Sequence, residues 1–373
     1  MAKFIALSGF LGAGKTTTMT AAAQRLRADG LRVAVVTNDQ GAELVDTALA
    51  ATRLDGVGEV TGGCFCCRFD DLLGVTSQLV RQQGADVVIA ESVGSCTDLT
   101  ATVVRPMLAL HGDSFRVAPL TTIVDPLRYR RLLAEIDRGD DSNDMAYLYR
   151  KQLEDAAVIG LNKVDLLEHD EVKDIMSSLA ERFPNAEIVA YSAGRQDIDP
   201  LLQAWTRDHG ADDTDLVLDY ERYGEAEARL AWLNQTITVH ATTAPFAPTT
   251  WATTVLDEVS RRCQAAGHTI GHVKIMLEDL SSGVLTKASL IDTERPPAID
   301  LTGSPAVQNG RAILNARVEC EPEELEALTA VAVSEADRVH GTDSSALDQR
   351  SFKPGQPRPT HRLLVEADHS QQR

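Results

Sequence analysis

Short apolar runs, each closed by a glycine or a polar turn, recur through the first half of the chain. "KFIALS", "LRVAVVT", "ADVVIAE", "APLTTIVD", "AAVIGLNKVD" and "EIVAYSA" are near-continuous rather than alternating. Strands covered on both faces read this way, because each face needs an apolar side chain. "KTTTMTAAAQRLRADG" and "FDDLLGVTSQLVRQQG" carry apolar residues at helical spacing, and each stops at a glycine. Strands alternating with helices predict an α/β domain with a mostly parallel sheet. "DRGDDSND", residues 137–144, reads as a polar acidic loop within it.

The pattern changes after about Asp212. "DDTDLVLDYERYGEAEARLAWLN" is acidic and predicts a linker plus a helix. "QTITVHATT" is a strand and "TTWATTVLDEVSRRCQAAG" an amphipathic helix. "IGHVKIMLED" and "GVLTKASLID" read as paired strands, followed by the strand "RAILNARVEC". "EPEELEALTAVAVSEADRV" is a helix with acidic residues in its first turn, which suits the helix dipole. The order β-α-β-β-β-α predicts a smaller α+β domain, and "SFKPGQPRPTHRLL" an extended Pro-containing tail. The predicted division is 1–210, an α/β domain; 211–233, a linker and helix; 234–342, the α+β domain; and 343–373, the tail.

A length of 373 residues fits at least two domains. The formal charge of −19 makes nucleic acid and anionic membranes poor partners. No run reaches the eighteen or so apolar residues of a spanning helix. The N-terminal "MAKFIALSGFLGAGK" runs straight into a Gly-rich loop and does not read as a signal peptide. A cytoplasmic location with reduced thiols is therefore expected, so the six cysteines are no disulfide framework.

"GFLGAGKT", Gly9 to Thr16, fits G-x-x-x-x-G-K-[ST] between an apolar strand and a helix. Glycines let the backbone wrap a phosphate, and N–H groups converge at the helix N-terminus. Lys15 can reach the β- and γ-phosphates, and the Thr16 hydroxyl can ligate Mg²⁺. Glu91 ends the buried strand "ADVVIAE" and is placed close to Mg²⁺ or its water, with Gly94 beside the γ-phosphate. Lys15, Thr16 and Glu91 are the candidate catalytic residues. "LNKVD" supplies Asp165, whose carboxylate can accept from guanine N1–H and the exocyclic amine together, a donor pair adenine lacks. Ser192 and Ala193 in "YSAGR" can offer backbone N–H to the guanine oxygen.

"TGGCFCCRFDD" places three of the six cysteines within four positions. Adjacent Cys66 and Cys67 would make a strained disulfide. Cys64, Cys66 and Cys67 match a soft-metal site with one tetrahedral position left open, and Zn²⁺ is the commonest occupant. Asp39 in "TNDQG", a histidine or a client group could supply the fourth ligand. Buried structural cysteines and a redox loop are the alternatives. Cys96, near Glu91, could join the site but reads first as a core residue; Cys263 and Cys320 read as core residues, and His240, His268 and His272 as ordinary polar or core histidines.

With "SGFLGAGKTT", "GGCFCC", Glu91-x-x-Gly94 and "LNKVDLL" in this order, the chain resembles the CobW-like metallochaperone GTPases over about its first 205 residues. The resemblance extends more loosely to the C-terminal α+β domain. It implies GTP hydrolysis coupled to binding a metal and delivering it to a client metalloprotein or metal-cofactor enzyme; with no assured arginine finger in the sequence, hydrolysis by the chain alone is expected to be slow. Zinc, cobalt and iron are among the metals the resemblance implies as cargo. It further implies that Gly12, Ala13, Gly14, Lys15, Thr16 and Thr17 bind phosphate. Asn162, Lys163 and Asp165 would bind guanine, and Cys64, Cys66 and Cys67 the metal. The chain departs from the family in reading "NDQG" for Asn-Glu-x-Gly, in lacking a proline in "SCTDLT", and in carrying "GHVKIML" for an Arg-x-Lys-Gly strand. Gln40 is a candidate to position the attacking water. A regulatory interaction protein switched by GTP and metal, a cobalt or iron insertase, and an ATP-using kinase or ligase are the rival functions. A homodimer stays open.

Overall fold

The computed structural model describes residues 1–38, 45, 56–137, 143–207 and 215–365. Asp39, Gln40, and residues 138–142 of the expected acidic loop lie outside the described residues. The described parts of Met1–Gln40, Ala50–Tyr223 and Pro357–Arg373 make one compact unit, and those of Gly41–Leu49 and Gly224–Gln356 a second.

In the first unit the strands are β1 (Ala2–Gly9), β2 (Val33–Asn38), β3 (Val57–Val60), β4 (Val87–Glu91), β5 (Phe115–Val117), β6 (Thr121–Val124), β7 (Val158–Leu161) and β8 (Glu187–Ala190). They form one sheet in the order β3-β2-β4-β1-β6-β7-β8, with β5 also paired to β1. Every pairing is parallel. β2, β4, β6 and β7 are buried at every position, as strands covered on both faces must be.

The helices are α1 (Lys15–Ala28), α2 (Phe69–Gln83), α3 (Arg105–His111), α4 (Pro126–Asp137), α5 (Asp144–Glu154), α6 (His169–Arg182) and α7 (Asp199–Thr206). A π-helical turn, Thr100–Val104, leads into α3. Met19, Ala22 and Ala23 of α1 pack with Ile5, Leu7, Val35 and Ile89 of the sheet. This is an α/β fold whose central strand β1 ends at the Gly-rich loop. Ligands of such sheets bind beyond the carboxyl ends of the strands, where the strand order reverses.

Helix α8 (Tyr220–Ala228) precedes β9 (Leu230–Ala241), so "LAWLN" is strand rather than the helix end expected from the sequence. The second unit has β9, α9 (Pro248–Ala266), β10 (Ile270–Asp279), β11 (Leu285–Leu290), β12 (Ala298–Leu301), β13 (Asn309–Glu319), α10 (Pro322–His340) and β14 (Thr342–Phe352). The sheet is antiparallel in the order β12-β11-β10-β13-β9-β14. Period-two residues Ala231, Leu233, Ile237 and Val239 of β9 and Ala312, Leu314, Ala316 and Val318 of β13 face one core. Trp251, Val255, Leu256, Val259 and Cys263 of α9 and Leu325, Leu328 and Ala332 of α10 complete it. Each leucine, isoleucine or valine among them stabilises the fold by roughly 1.5–3 kcal/mol. Among the described residues no helix is long and apolar enough to cross a membrane.

Candidate nucleotide and metal site

The Gly-rich loop leaves β1 at Gly9 (φ 134°) and enters α1 through Gly12 (φ 78°) and Gly14 (φ 95°). Gly14 starts α1 in the left-handed region with no side-chain cap. A Cβ on Gly14 would overlap Asn162 Nδ2, so the residue must be glycine for two independent reasons. Lys15 is buried, and its Nζ donates to Gly9 O at 2.7 Å and Phe10 O at 3.5 Å. Thr16 Oγ1 donates to Glu91 Oε1 at 2.8 Å, joining the first turn of α1 to the end of β4. Both groups are buried hard oxygens, a donor set that fits Mg²⁺. Gly94 packs against Leu11 of the loop.

Asn162 sits where β7 ends and ties two loops together. Its Nδ2 donates to Ala13 O at 3.0 Å, and its Oδ1 accepts from Ala193 N at 3.1 Å. Lys163, at φ 60°, donates from Nζ to Gly12 O and to Asp125 Oδ2, both at 2.8 Å. Asp165 accepts from the Ser192 hydroxyl and pairs with Arg195 Nε at 3.3 Å. The "NKVD" and "YSAGR" segments therefore meet one another and the phosphate loop. Asp125, which ends β6, was not singled out in the sequence. It is buried, holds Lys163, and caps α4 by accepting from Arg128 N at 2.8 Å.

The cysteines follow β3 and lead into α2. Gly62 (φ 76°) and Gly63 bend the chain, and Cys67 N and Arg68 N both donate to Cys64 O at 3.0 Å. The sulfurs lie 2.8 Å apart for Cys64–Cys66, 3.3 Å for Cys64–Cys67 and 3.8 Å for Cys66–Cys67. A tetrahedral zinc with Zn–S near 2.3 Å has S–S edges of about 3.8 Å; the Cys66–Cys67 edge matches, and the two edges to Cys64 are shorter and must open for the ion. They are the one group of three or more metal-ligating side chains gathered this closely among the described residues. Cys64 and Cys66 are buried and Cys67 is half-buried.

Hydrogen bonding to Cys64, Cys67 and Cys96, with burial, pushes the Cys66 thiol well up. For Cys64, hydrogen bonds from Cys66 and Cys67 pull downward, but contact with Cys96 and burial prevail, and the thiol is raised. Thiols so crowded stay protonated until a cation compensates the charge, so metal binding must release protons.

Two supports of this loop went unread in the sequence. Asn38, at the end of β2, donates from Nδ2 to Val60 O (3.0 Å) and Gly63 O (2.8 Å), and its Oδ1 accepts from Phe65 N (2.9 Å). The tail segment supplies the other. Arg358 N donates to Cys67 Sγ at 3.1 Å, Thr360 N to Cys66 O at 2.8 Å, and Thr360 Oγ1 to Cys67 O at 3.2 Å. His361 meets Phe69 edge-on, and Arg362 Nε donates to buried Asp98 at 2.7 Å.

Cys96 is fully buried, and its backbone N–H donates to Val93 O at 3.0 Å. Cys263 lies in the core of the second unit and Cys320 packs against it. The histidines have ordinary surroundings. His240 meets Asn309 at 2.8 Å, His268 meets Glu324 at 2.7 Å, and His272 is buried on β10.

Residues 3–190 match the model of the CobW/HypB/UreG nucleotide-binding domain. The chain is 29% identical over 195 residues to a zinc chaperone CobW of Sinorhizobium sp, spanning 47% of this chain and 54% of that one. It is 27% identical over 214 residues to the zinc-regulated GTPase metalloprotein activator 1 of Dictyostelium discoideum, spanning 49% of this chain and 44% of the relative. The chain thus spans about half the length of the curated relatives it matches. The solved structure of Zn(II)-bound YjiA GTPase from E. coli aligns with 89% of this chain and 98% of its own at 12% identity, with a TM-score of 0.39. With its phosphate loop, its Asn162–Asp165 segment and its Cys64–Cys67 cluster inside the matched span, the chain belongs to the CobW/HypB/UreG family.

Proposed function

We propose that this protein is a Mg²⁺-dependent GTPase that carries a transition metal, zinc first, and hands it to a client metalloprotein or metal-cofactor enzyme. The observation that carries the reading is the gathering of three sulfurs within 4.8 Å of one another in the same unit as a complete phosphate loop. The names of the relatives, zinc chaperone and zinc-regulated GTPase, support it.

The residues divide the work. Gly12, Ala13, Gly14 and Thr17 form the phosphate cradle with the first turn of α1. Lys15 leaves its carbonyl partners for the β- and γ-phosphates and stabilises charge on the transferring group. Thr16 and Glu91 would hold Mg²⁺, which supplies charge neutralisation at the β- and γ-oxygens when bound. Asp165 accepts from guanine N1–H and the exocyclic amine, Ser192 and Ala193 offer N–H to the guanine oxygen once released from Asp197 O and Asn162 Oδ1, and Asn162 and Lys163 brace the base-binding loop against the phosphate loop. Cys64, Cys66 and Cys67 take the cargo metal as thiolates. No arginine finger is assigned, so hydrolysis without a client is slow.

Nucleotide preference and metal dependence test the reading together. GTP should outcompete both ATP and ITP, since ITP lacks the exocyclic amine, and Asp165→Ala should abolish the GTP-over-ITP preference. Stoichiometric Zn²⁺ binding should vanish in Cys66→Ser. ATP binding as tightly as GTP, or full-strength Zn²⁺ binding by Cys66→Ser, would sink the proposal.

A further inference from the structure

The tail lies on the first unit in the manner of a bound peptide. Pro357, Pro359, His361 and Leu363 are half-buried, while Arg358, Thr360 and Arg362 are exposed. That alternation marks an extended segment with one face against a surface. None of the seven is fully buried. Backbone bonds hold the segment: Thr360 N donates to Cys66 O at 2.8 Å and Leu363 N to Ala101 O at 2.9 Å, while Arg105 donates to Leu363 O at 3.0 Å. The two prolines keep their stretch extended. Arg362 alone reaches deep. Its Nε donates to Asp98 Oδ2 at 2.7 Å, and its guanidinium lies 5.2 Å from the centre of the Tyr220 ring.

Asp98 is built to receive a cation. It is fully buried and held at a left-handed φ of 63°, a conformation that persists in non-glycine residues where the surroundings enforce it. A π-helical turn, a form frequent at functional sites, starts two residues on. Tyr220 donates to Asp98 Oδ2 at 2.6 Å, and Oδ1 has no hydrogen-bond partner among the described residues. With Arg362 withdrawn, a buried carboxylate loses its cation, so whatever replaces the tail must bring another. We propose that the track under residues 358–363 is the client's docking groove. The client presents an extended segment whose arginine takes the place of Arg362 at Asp98, and the tail is the chain's own competitor for that groove. The inference rests on the metal-carrier reading and adds to it the chemistry of the partner.

The groove leads to the metal-ligating thiols. Arg358 N donates to Cys67 Sγ at 3.1 Å and Thr360 Oγ1 to Cys67 O at 3.2 Å, so the tail covers the least buried of the three cysteines. A client segment that displaces the tail lands beside Cys67, where its own ligands can take over the cargo. The backbone bonds accept any extended chain, and the Asp98 contact selects one with a guanidinium. A net charge of −19 favours the approach of basic segments. Because the tail is tethered, it competes at high effective concentration and keeps Cys67 covered until a better-fitting segment arrives.

The probe is a fluorescein-labelled free peptide of residues 357–365, titrated by anisotropy against the reduced full chain. In Arg362→Ala the tethered tail has lost its hold on Asp98, so the peptide should bind about 10-fold tighter or more than it binds the wild type. A peptide with alanine at the position of Arg362 should bind that variant at least about 10-fold more weakly, the loss typical of a hydrogen bond to a buried charge. Asp98→Asn in the same variant should erase the difference between the two peptides. The arginine peptide at saturation should slow alkylation of Cys67 in Arg362→Ala about 10-fold. Should Arg362→Ala fail to fold, hydrogen exchange of the wild type decides: excess arginine peptide should speed exchange at the Thr360 and Leu363 amides, and the alanine peptide should not. Equal effects of the two peptides, or alkylation of Cys67 indifferent to bound peptide, would overturn the groove. The expected peptide preference in a protein that gives no thiolate–metal signal with Co²⁺ would uphold the groove and overturn the metal-carrier reading alone.

Discussion

Asn38→Ala is the substitution whose effect the structure specifies most closely. The side chain is 8% exposed and touches the cysteine loop three times: Val60 O at 3.0 Å, Gly63 O at 2.8 Å and Phe65 N at 2.9 Å. A buried hydrogen bond contributes about 1 kcal/mol net, so alanine forfeits roughly 3 kcal/mol. That loss falls on the segment that positions Cys64. If the loop loosens locally, metal binding must restore its order, and roughly 3 kcal/mol corresponds to about 100-fold in Kd.

Zn²⁺ affinity by chelator competition should therefore weaken between about 10- and 100-fold, with thermal unfolding of the metal-free protein lowered by several degrees. GTP affinity should stay within about threefold, because the contacts of Asn38 are with the cysteine loop and not the phosphate loop. Asn38→Asp should do no better than alanine, since it keeps the acceptor for Phe65 N–H but sets a carboxylate against two carbonyl oxygens. Wild-type Zn²⁺ affinity in Asn38→Ala would refute the claim that this side chain holds the loop in place.

Gly14→Ala should lower GTP affinity at least about 10-fold by fluorescent-nucleotide titration, because left-handed backbone strain of about 1–3 kcal/mol adds to the overlap with Asn162. Asp155 accepts from Leu99 N at 2.6 Å, and burial together with Asp98 pushes its carboxyl up to about 7 from 3.8. A folded-state pKa above the unfolded value stabilises at low pH, and that contribution is lost as pH rises through about 7. Stability should thus fall by roughly 2–3 kcal/mol between pH 5 and 8 in the wild type, most of it below pH 7, and stay flatter in Asp155→Asn. A chain ending before Pro357 loses the bonds from Arg358 and Thr360 to the cysteine loop. Its Cys67 should be alkylated roughly 10-fold faster, the weight of one to two hydrogen bonds; an unchanged rate would show that the tail does not cover the site.

The nucleotide site was legible because its chemistry is local. Gly9 to Thr16 and Asn162 to Asp165 each carry their geometry in consecutive residues, and buried parallel strands announce themselves as unbroken apolar runs. The three cysteines were legible for the same reason. What surrounds them was not. Arg358 reaches Cys67 across 291 positions and Asn38 reaches Phe65 across 27, and no periodicity encodes such pairings. Asp125 reads as a strand end, and Gln152 lies in a stretch given no element, until Lys163 and the Cys96 carbonyl are brought beside them.

Strand β14, "TDSSALDQRSF", escaped because it is a largely exposed edge strand whose polar residues follow no alternation, so its pairing with β9 leaves no hydrophobic trace. Strand β12 is four largely exposed residues at the opposite edge.

The central claim is that nucleotide and metal sites form one device. The most direct measurement is a Co²⁺ titration of the reduced protein, followed by thiolate-to-metal absorption, without nucleotide, with GDP, and with a non-hydrolysable GTP analogue. The expected result is a Kd that differs between the GTP-like and GDP states by about 10-fold or more, a coupling of about 1.4 kcal/mol or more, and is abolished in Cys66→Ser. Equal affinity in all three states would mean that the nucleotide has no hold on the cysteines, and the coupling would be contradicted.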